Sequence, residues 1–499
     1  MTIEKVGRAM TWSLVARIAA FAAGFAANVL IVRSLGEHDW GILSEIKTIL
    51  QFVLVLIMVG ADTAILKFVP MLRVGGGAKS FLGTFRWVIL IQTGVWLCIL
   101  VGSRFGGNYL NGFFRDQSDR LGIYLQVAVG FLIFEILMIL VTNFFQSWYE
   151  TKRLAAVMVC GNVVYFGAVA FALQRGFGIV GILAASAVTN LLMVAVLVPQ
   201  ARGFVGSVPS SGAGPGVGEV LRFSLPFVVT GLLNQIVWRQ SEVLFLGHFG
   251  GAEAAGFFGL AYRTPQLLLE FVPISIWPIV MAGTSETYAK DPRDLPRAIS
   301  LYFKLIYLLV VPIAAMGFAF ARPLVPLIYG SQMIPAALLT QLFFVVFSYS
   351  FLYTPMSMAL YVMGKSWVNM LIFLSLAIVE VGLDLALIPR YGLWGAMVPV
   401  SVVLMLAVIL FNSAVKRLMP DVKMPVGFIV RCSVAALPTC LLSLLSSRWS
   451  SPVSLLVLIP AGIVLLVMGF RVMRVIGDEE RALIRKLPIP AKERILSIL

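Results

Sequence analysis

Charged residues are what this chain of 499 residues has least of. Only 12% of its residues are Asp, Glu, Lys or Arg, whereas 60% are hydrophobic. A typical soluble domain carries about 25% charged residues and about 45–50% apolar ones. The mean hydropathy of +0.97 points the same way. This composition excludes a soluble enzyme, a disordered protein and a secreted disulfide scaffold, and it indicates a polytopic membrane protein.

Cysteine and histidine are also scarce. The four cysteines all fall in apolar segments, at Cys98, Cys160, Cys432 and Cys440, so no disulfide framework is expected. The two histidines, His38 and His248, lie far apart without a cluster of metal ligands. No Gly-x-x-x-x-Gly-Lys-Ser/Thr motif is present, which excludes direct ATP coupling by this chain. No metal or other cofactor is predicted.

Long hydrophobic runs are abundant, and each run of about 17–25 residues is a candidate transmembrane helix. The fourteen predicted spans are residues 9–32, 42–66, 81–102, 121–146, 154–173, 178–199, 223–247, 255–282, 298–320, 335–361, 366–388, 392–415, 425–445 and 452–473. The first run follows Lys5 and Arg8 but is too long for a signal peptide, so it is interpreted as an uncleaved helix. The predicted fold is an all-α polytopic membrane protein with about 14 transmembrane helices.

The distribution of basic residues predicts the orientation. The chain carries 38 Lys and Arg against 23 Asp and Glu, a net charge of +15. With the N-terminus in the cytoplasm, 25 of the basic residues fall on the cytoplasmic side and 8 on the outer side. Cytoplasmic loops of inner-membrane proteins carry such an excess. We therefore expect a multi-pass protein of the cytoplasmic membrane with both termini inside, and we do not expect a nucleic-acid partner.

The two halves of the chain repeat a glycine pattern at a constant offset of 214 residues. The matching pairs are Gly36 and Gly250, Gly178 and Gly392, and Gly181 and Gly395. Between the halves lies a Gly/Ser/Pro-rich stretch typical of a flexible linker. The predicted organisation is an N-lobe of six spans (1–200), a cytoplasmic linker (201–219), a C-lobe of six spans (220–415), two further spans (416–475) and a cytoplasmic amphipathic tail (476–499). Parallel repeats of this kind occur in transporters.

Three segments resemble a known superfamily. They are residues 32–41 after the first span, residues 60–70 closing the second and residues 387–396 before the twelfth. With the organisation of the spans, they resemble the multidrug/oligosaccharidyl-lipid/polysaccharide (MOP) exporter superfamily, and within it the polysaccharide transporters that flip lipid-linked oligosaccharides. The resemblance implies a V-shaped pair of lobes around a central cavity. It also implies alternating access for an undecaprenyl-diphosphate-linked sugar unit.

Eleven charged side chains fall within the predicted spans when four near the span ends, Glu45, Arg86, Arg431 and Arg471, are set aside. Each would cost about 2.5–3.5 kcal/mol at the bilayer centre. Eleven facing lipid would together cost roughly 30 kcal/mol, more than the roughly 5–15 kcal/mol that stabilises a domain. Most of these residues must therefore face a wet cavity, pair with each other or reach an interface. This predicts a polar pathway through the protein.

The hairpin of the seventh and eighth spans places Arg239 and Arg263 at one depth, and paired guanidinium groups suit a diphosphate. An alternative interpretation is a structural ion pair of Glu242 with either arginine. The candidate substrate-binding residues are Arg239, Arg263, Arg17, Lys47, Asn28 and Asn234, and the candidate ion-coupling residues are Glu242, Glu270, Glu135 and Glu380. Coupling to protons or sodium is the expectation. Asp384 is interpreted as structural.

The function predicted from the sequence is a flippase for a lipid-linked oligosaccharide. A flippase for the peptidoglycan lipid precursor and a cation-coupled multidrug antiporter of the same superfamily remain open, although the arginines favour an anionic headgroup. A membrane glycosyltransferase would need a large extramembrane loop with carboxylates. The longest outer loop, 103–120, has only Asp116 and Asp119, so no enzyme is expected. The expected partners are the substrate, membrane lipid, and a polysaccharide polymerase or glycosyltransferases.

Overall fold

The computed structural model describes residues 3–75, 78–114, 121–148, 150–206, 215–238, 241–448, 451–475 and 477. The predicted amphipathic tail therefore lies almost wholly outside the described residues. The helices are α1 (Ile3–Met58), α2 (Ala61–Gly75), α3 (Ala78–Phe113), α4 (Leu121–Ser147), α5 (Thr151–Gln174), α6 (Gly178–Gly206), α7 (Val217–Trp238), α8 (Glu242–Gly250), α9 (Ala252–Lys290), α10 (Leu295–Tyr329), α11 (Ile334–Ser350), α12 (Tyr353–Val362), α13 (Ser366–Tyr391), α14 (Leu393–Leu418), α15 (Val426–Arg448) and α16 (Pro452–Val472). Within those ranges no strand occurs. The prediction of an all-α membrane protein is confirmed.

Twelve helical segments are long and apolar enough to cross a membrane in the part of the chain that is described. The predicted count of fourteen is not confirmed. The first predicted span and most of the second fall within α1, which Gly36 divides into two helical parts, whereas the count of twelve takes Phe21–Met58 as one segment. The eighth predicted span corresponds to α9, several of whose side chains lie outside the described residues.

Two predicted spans are interrupted. The second, 42–66, breaks at Val59 and Gly60, which have φ angles of 48° and 70°. A Cβ on Gly60 would collide with the backbone carbonyl of Ser224 in α7, so glycine allows this close approach. The seventh, 223–247, is divided between α7 and α8. These breaks leave α2 and α8 as short helices beside longer ones.

The two hairpin turns of the repeat share one backbone conformation. Gly36 breaks α1 with φ 78° and ψ −179°, and Gly251 separates α8 from α9 with φ 85° and ψ 173°. Positive φ of this kind favours glycine. The second turn thus falls one residue after the predicted equivalent, Gly250. Gly178 and Gly392, the pair predicted at 214 residues, have φ angles of 53° and 54°.

The chain divides into two compact units, Met1–Gly256 and Phe257–Leu499. In the first unit, α1 packs on α5, α4 packs on α6 and α3, and α2 packs on α4. Its core includes Ile57, Ile65, Phe68, Leu132 and Ile136. In the second unit, α10 packs on α11 and α15, and α13 packs on α14. The division into lobes at 1–200 and 220–415 stays a prediction.

The two glycine turns meet inside the first unit. A Cβ added to Gly41 would collide with the backbone carbonyl of Ala252. One added to Gly256 would lie 3.0 Å from Cα of Gly41. Beside this contact, the indole Nε1 of Trp40 donates a hydrogen bond of 3.1 Å to the carbonyl oxygen of Gly256. Glycine at both positions therefore allows the two backbones to touch.

The last two helices are an integral part of the second unit. Ser446 in α15 donates a 2.5 Å hydrogen bond to the carbonyl oxygen of Ala319 in α10. Gly469 in α16 lies directly against the carbonyl of Ala435 in α15, where a Cβ would collide. Buried residues such as Phe320, Leu442 and Leu458 fill the space between these helices. The predicted pair of additional spans thus extends the core built around α10.

Candidate functional site

The structure describes eight of the ten predicted site residues. Arg239 lies outside the described residues, and so does the side chain of Arg17. The first unit contains Asn28, Lys47, Glu135, Asn234 and Glu242, and the second contains Arg263, Glu270 and Glu380. The predicted pairing of Arg239 with Arg263 therefore has no structural description. Of the two paired arginines, Arg263 is the one that the structure describes.

Arg263 and Glu270 belong to one polar file on α9. Nη1 of Arg263 donates a hydrogen bond of 3.0 Å to Oε1 of Gln266. Nε2 of Gln266 in turn donates one of 2.9 Å to Oε1 of Glu270. Positions i, i+3 and i+7 share one face of a helix, and this spacing brings the three side chains together. We call Arg263, Gln266 and Glu270 the α9 polar file.

The α9 polar file is only partly shielded. Gln266 is fully buried, whereas Arg263 and Glu270 are half-buried. Arg263 and Glu270 lie two helical turns apart, and the amide of Gln266 hydrogen-bonds to both of them. Each of these partly buried charges therefore has a hydrogen-bond partner. A ligand that approaches this face meets a guanidinium group at one end and a carboxylate at the other.

Hydroxyl groups of two tyrosines from other helices lie near the file. Tyr353, at the start of α12, interacts electrostatically with Glu270 and with Tyr302 of α10. Thr264, next to Arg263, shares a 3.2 Å hydrogen bond with the hydroxyl of Tyr329 at the end of α10. Sequence reasoning missed Gln266 and Tyr353. The i, i+3, i+7 spacing gave a signal for Gln266, whereas Tyr353 is brought in by tertiary packing.

The first unit contains two deeply buried carboxylates, Glu45 of α1 and Glu242 of α8, whose residues are 0% and 1% exposed. α1 packs on α8. A Cβ on Gly247 would contact Oε1 of Glu45 and lie 2.7 Å from its Cδ, so the absent side chain makes room for the carboxyl group. Glu45 is not among the predicted site residues, because the spacing of apolar residues does not show which backbone approaches a side chain.

A second polar group of the first unit, around Glu135, is accessible to solvent. Glu135 is exposed although it lies near the middle of the apolar helix α4. It interacts electrostatically with Lys47 of α1 and with Tyr165 of α5. The ammonium group of Lys47 also lies 5.6 Å from the ring centroid of Trp40. A carboxylate at this depth that faced lipid would be costly, so the arrangement fits a wet surface.

The remaining predicted residues have different surroundings. Asn28 is half-buried and Asn234 is exposed. Glu380 and Asp384 lie one turn apart on α13 and are 1% and 0% exposed. Like charges this close and this buried disfavour the state in which both are ionised. Glu380 therefore belongs with Asp384 in the packed interior of the second unit.

Among the described residues, no group of three or more His, Cys, Asp or Glu side chains is arranged to hold a metal ion.

Comparison with known proteins adds family information. The family model described as "Polysaccharide biosynthesis protein" matches residues 30–338, which is more than half of the chain. This match contains α9 with its polar file and most of the first unit. A comparison with curated protein sequences gives no match.

Solved structures share the fold at low sequence identity. The lipid II flippase MurJ in an inward closed conformation is 14% identical, with a TM-score of 0.71 over 92% of this chain and 98% of that one. An inward-facing MATE multidrug transporter of the MOP superfamily is 16% identical, with a TM-score of 0.61 over 81% and 95%. A MOP superfamily transporter from Pyrococcus furiosus is 15% identical, with a TM-score of 0.57 over 83% and 95%. At these identities the similarity shows the fold alone.

Proposed function

We propose that this chain, which belongs to the family described as "Polysaccharide biosynthesis protein", flips an undecaprenyl-diphosphate-linked oligosaccharide across the cytoplasmic membrane. Alternating access exposes the binding surface first to the cytoplasmic leaflet and then to the outer one. The protein is a multi-pass membrane protein of a transporter fold. We place both termini in the cytoplasm, as the basic loops indicate, and assign it no enzymatic reaction.

The observation that carries this proposal is the α9 polar file. Arg263 is half-buried, and its guanidinium group, one N–H of which donates to Gln266, is a cation on a partly accessible helix face. Guanidinium groups bind phosphate oxygens in a bidentate manner. The link to Glu270 through Gln266 holds the side chain in a fixed orientation. An anionic diphosphate fits this end of the file.

The alternatives differ in what the site would have to hold. A peptidoglycan lipid precursor also carries a diphosphate, and the fold similarity to MurJ covers nearly all of both chains. A cationic drug favours a surface of negative charge, which the Arg263 end of the file does not offer. The first alternative therefore shares the proposed headgroup chemistry and is separated from our proposal by the glycan.

Transport against a gradient needs a coupling group. We propose proton or sodium coupling through a carboxylate among Glu242, Glu270, Glu135 and Glu380. Glu270 and Glu135 are the accessible members of this set, whereas Glu242 and Glu380 are buried. The partners would be a polysaccharide polymerase and the glycosyltransferases that assemble the lipid-linked unit.

Replacing Arg263 tests the proposal. We expect Arg263→Ala to abolish export of the surface polymer while the protein remains in the membrane, because the diphosphate loses its guanidinium ligand. Arg263→Lys should restore export only partly, since an ammonium group is a point charge. The measurement is surface polymer and cytoplasmic lipid-linked unit in cells that lack the native gene.

Arg322→Ala is the matched control, because Arg322 is an exposed arginine on α10 of the same unit. It should export normally. Full export by Arg263→Ala would contradict the headgroup site. Loss of peptidoglycan precursor transport with normal polymer export would instead support the MurJ-like alternative.

A further inference from the structure

Three aromatic side chains continue the α9 polar file. Trp277 lies two turns beyond Glu270 on α9, and seven residues return to the same helix face. Its ring centroid lies 6.4 Å from that of Tyr302 on α10 at an interplanar angle of 62°. It also lies 6.4 Å from that of Tyr361 on α12 at 90°. Three helices of the second unit therefore bring Trp277, Tyr302 and Tyr361 together, and we call these residues the aromatic corner.

The three side chains of the aromatic corner differ in solvent exposure. Tyr361 is 37% exposed and Trp277 is partly exposed, whereas Tyr302 is 2% exposed behind them. Two accessible rings thus stand at right angles. Within the described residues, the buried hydroxyl of Tyr302 has no hydrogen-bond partner. A buried hydroxyl in this situation is costly, and a polar ligand at the corner could supply the missing hydrogen bond.

The corner is connected to the charged end of the site. Tyr353 interacts electrostatically with Glu270 and also with Tyr302 and Tyr361. Along α9, the distance from Arg263 to Trp277 is about 21 Å at the helical rise per residue. One helix face therefore presents a guanidinium group, an amide, a carboxylate and then an aromatic surface.

This order of groups matches the order in a lipid-linked glycan. A pyranose ring has apolar C–H faces, which pack on aromatic rings, and a polar edge of hydroxyls, which bond to phenols and carboxylates. Interfacial aromatic belts explain exposed Trp and Tyr side chains. They do not explain why Tyr302 is buried behind the pair, or why the group follows the α9 polar file on the same face of the helix.

We propose that the aromatic corner is a saccharide subsite, which holds sugar residues several units away from the diphosphate at Arg263. This inference rests on the proposed function, since it assigns the glycan part of the same substrate. The subsite recognises stacked pyranose rings in general, whereas the linked hydroxyls and Glu270 select among them.

Binding measurements on the purified full chain in lipid nanodiscs test the inference. The probes are farnesyl diphosphate, the same lipid bearing one N-acetylglucosamine, and the same lipid bearing chitotetraose or cellotetraose. We expect at least one tetrasaccharide probe to bind about tenfold more tightly than farnesyl diphosphate, as one aromatic stacking contact allows. The monosaccharide should add little, because it does not reach the corner.

Variants of the aromatic corner show which side chains provide the higher affinity for the tetrasaccharide probe. Trp277→Leu and Tyr361→Leu should each remove the tetrasaccharide gain and leave the affinity for farnesyl diphosphate unchanged. Trp277→Tyr keeps a ring and should retain most of the gain, which separates stacking from a folding defect. Trp367→Leu is the matched control, because Trp367 is 59% exposed at the start of α13, just after Tyr361.

The outcomes separate the two proposals. A tetrasaccharide gain that persists in Trp277→Leu and Tyr361→Leu, or equal affinity for every probe, overturns the subsite and leaves the flippase proposal standing. Absence of binding by all four probes overturns the flippase proposal and the subsite with it. Loss of the gain in Trp367→Leu as well would identify an interfacial effect and overturn the subsite.

Discussion

Two carboxylate sites, one in each unit, differ in what surrounds them. Glu45 and Glu242 in the first unit are buried, and the carboxyl group of Glu45 occupies the space that a side chain at position 247 would need. Glu270 in the second unit is half-buried and hydrogen-bonded along a helix face to a cation. A group of the second kind can meet a ligand without repacking. We therefore assign substrate contact to the second unit's α9 polar file and a packing-dependent role to Glu45.

Close packing in the first unit should make it intolerant of added atoms. Gly41→Ala places a methyl group on the backbone carbonyl of Ala252, which cannot rotate away. We expect this variant to lower the free energy of unfolding by about 3 kcal/mol, the upper end of typical overpacking costs. Thermal unfolding in detergent, followed by size-exclusion chromatography, measures the change.

Gly382→Ala on α13 is the matched control, because a Cβ there meets nothing within 4 Å. It should be neutral or stabilising, as alanine favours a helix over glycine. Equal thermal stability of the two variants would show that the glycine turns of the first unit separate easily.

A smaller effect is expected where the added methyl group meets a side chain. Gly247→Ala brings a Cβ to 2.7 Å from Cδ of Glu45. The buried carboxyl group must shift, so we expect a loss of about 2 kcal/mol. Adding Glu45→Ala should recover part of the stability lost by Gly247→Ala, whereas additive losses would disprove this contact.

In the second unit, function should respond more strongly than stability. Gln266→Leu removes the amide that joins Arg263 to Glu270. Side-chain hydrogen bonds in membrane proteins average about 0.6 kcal/mol, so we expect a small shift in the unfolding temperature. Transport should fall sharply, because the guanidinium group is no longer oriented. Normal transport by Gln266→Leu, measured as polymer export, would remove the file from the mechanism.

The sequence predicted the helical membrane fold, the turns near Gly36 and Gly250, and both charged ends of the α9 polar file. Local patterns suffice for these features, because span length, turn glycine and intramembrane charge are properties of neighbouring residues. The burial of Glu45 and the position of Tyr353 were not predictable, since each depends on a helix that is distant in sequence. The break at Gly60 has the same origin, because the Ser224 backbone that requires it lies in α7.

The smallest change in stability is expected at the exposed end of α9, where a polar contact lies in water instead of in a packed interior. Glu286 accepts a 2.7 Å hydrogen bond from Lys290, and both side chains are largely exposed. This hydrogen bond and the nearby positive charge hold the pKa of Glu286 below its ordinary value. The contribution of this ion pair to the free energy of unfolding is therefore present above the unfolded pKa of Glu286 and is lost as the pH falls through the lower folded value.

Water and salt screen such a pair, so Glu286→Gln should change the unfolding temperature less than Gln266→Leu does. A difference seen at pH 7 should vanish at pH 2–3 and in about 1 M salt, where screening lengths shrink to about 3 Å. If Glu286→Gln shifted the unfolding temperature more than Gln266→Leu does, the exposure of a polar contact would not determine how much it stabilises this protein.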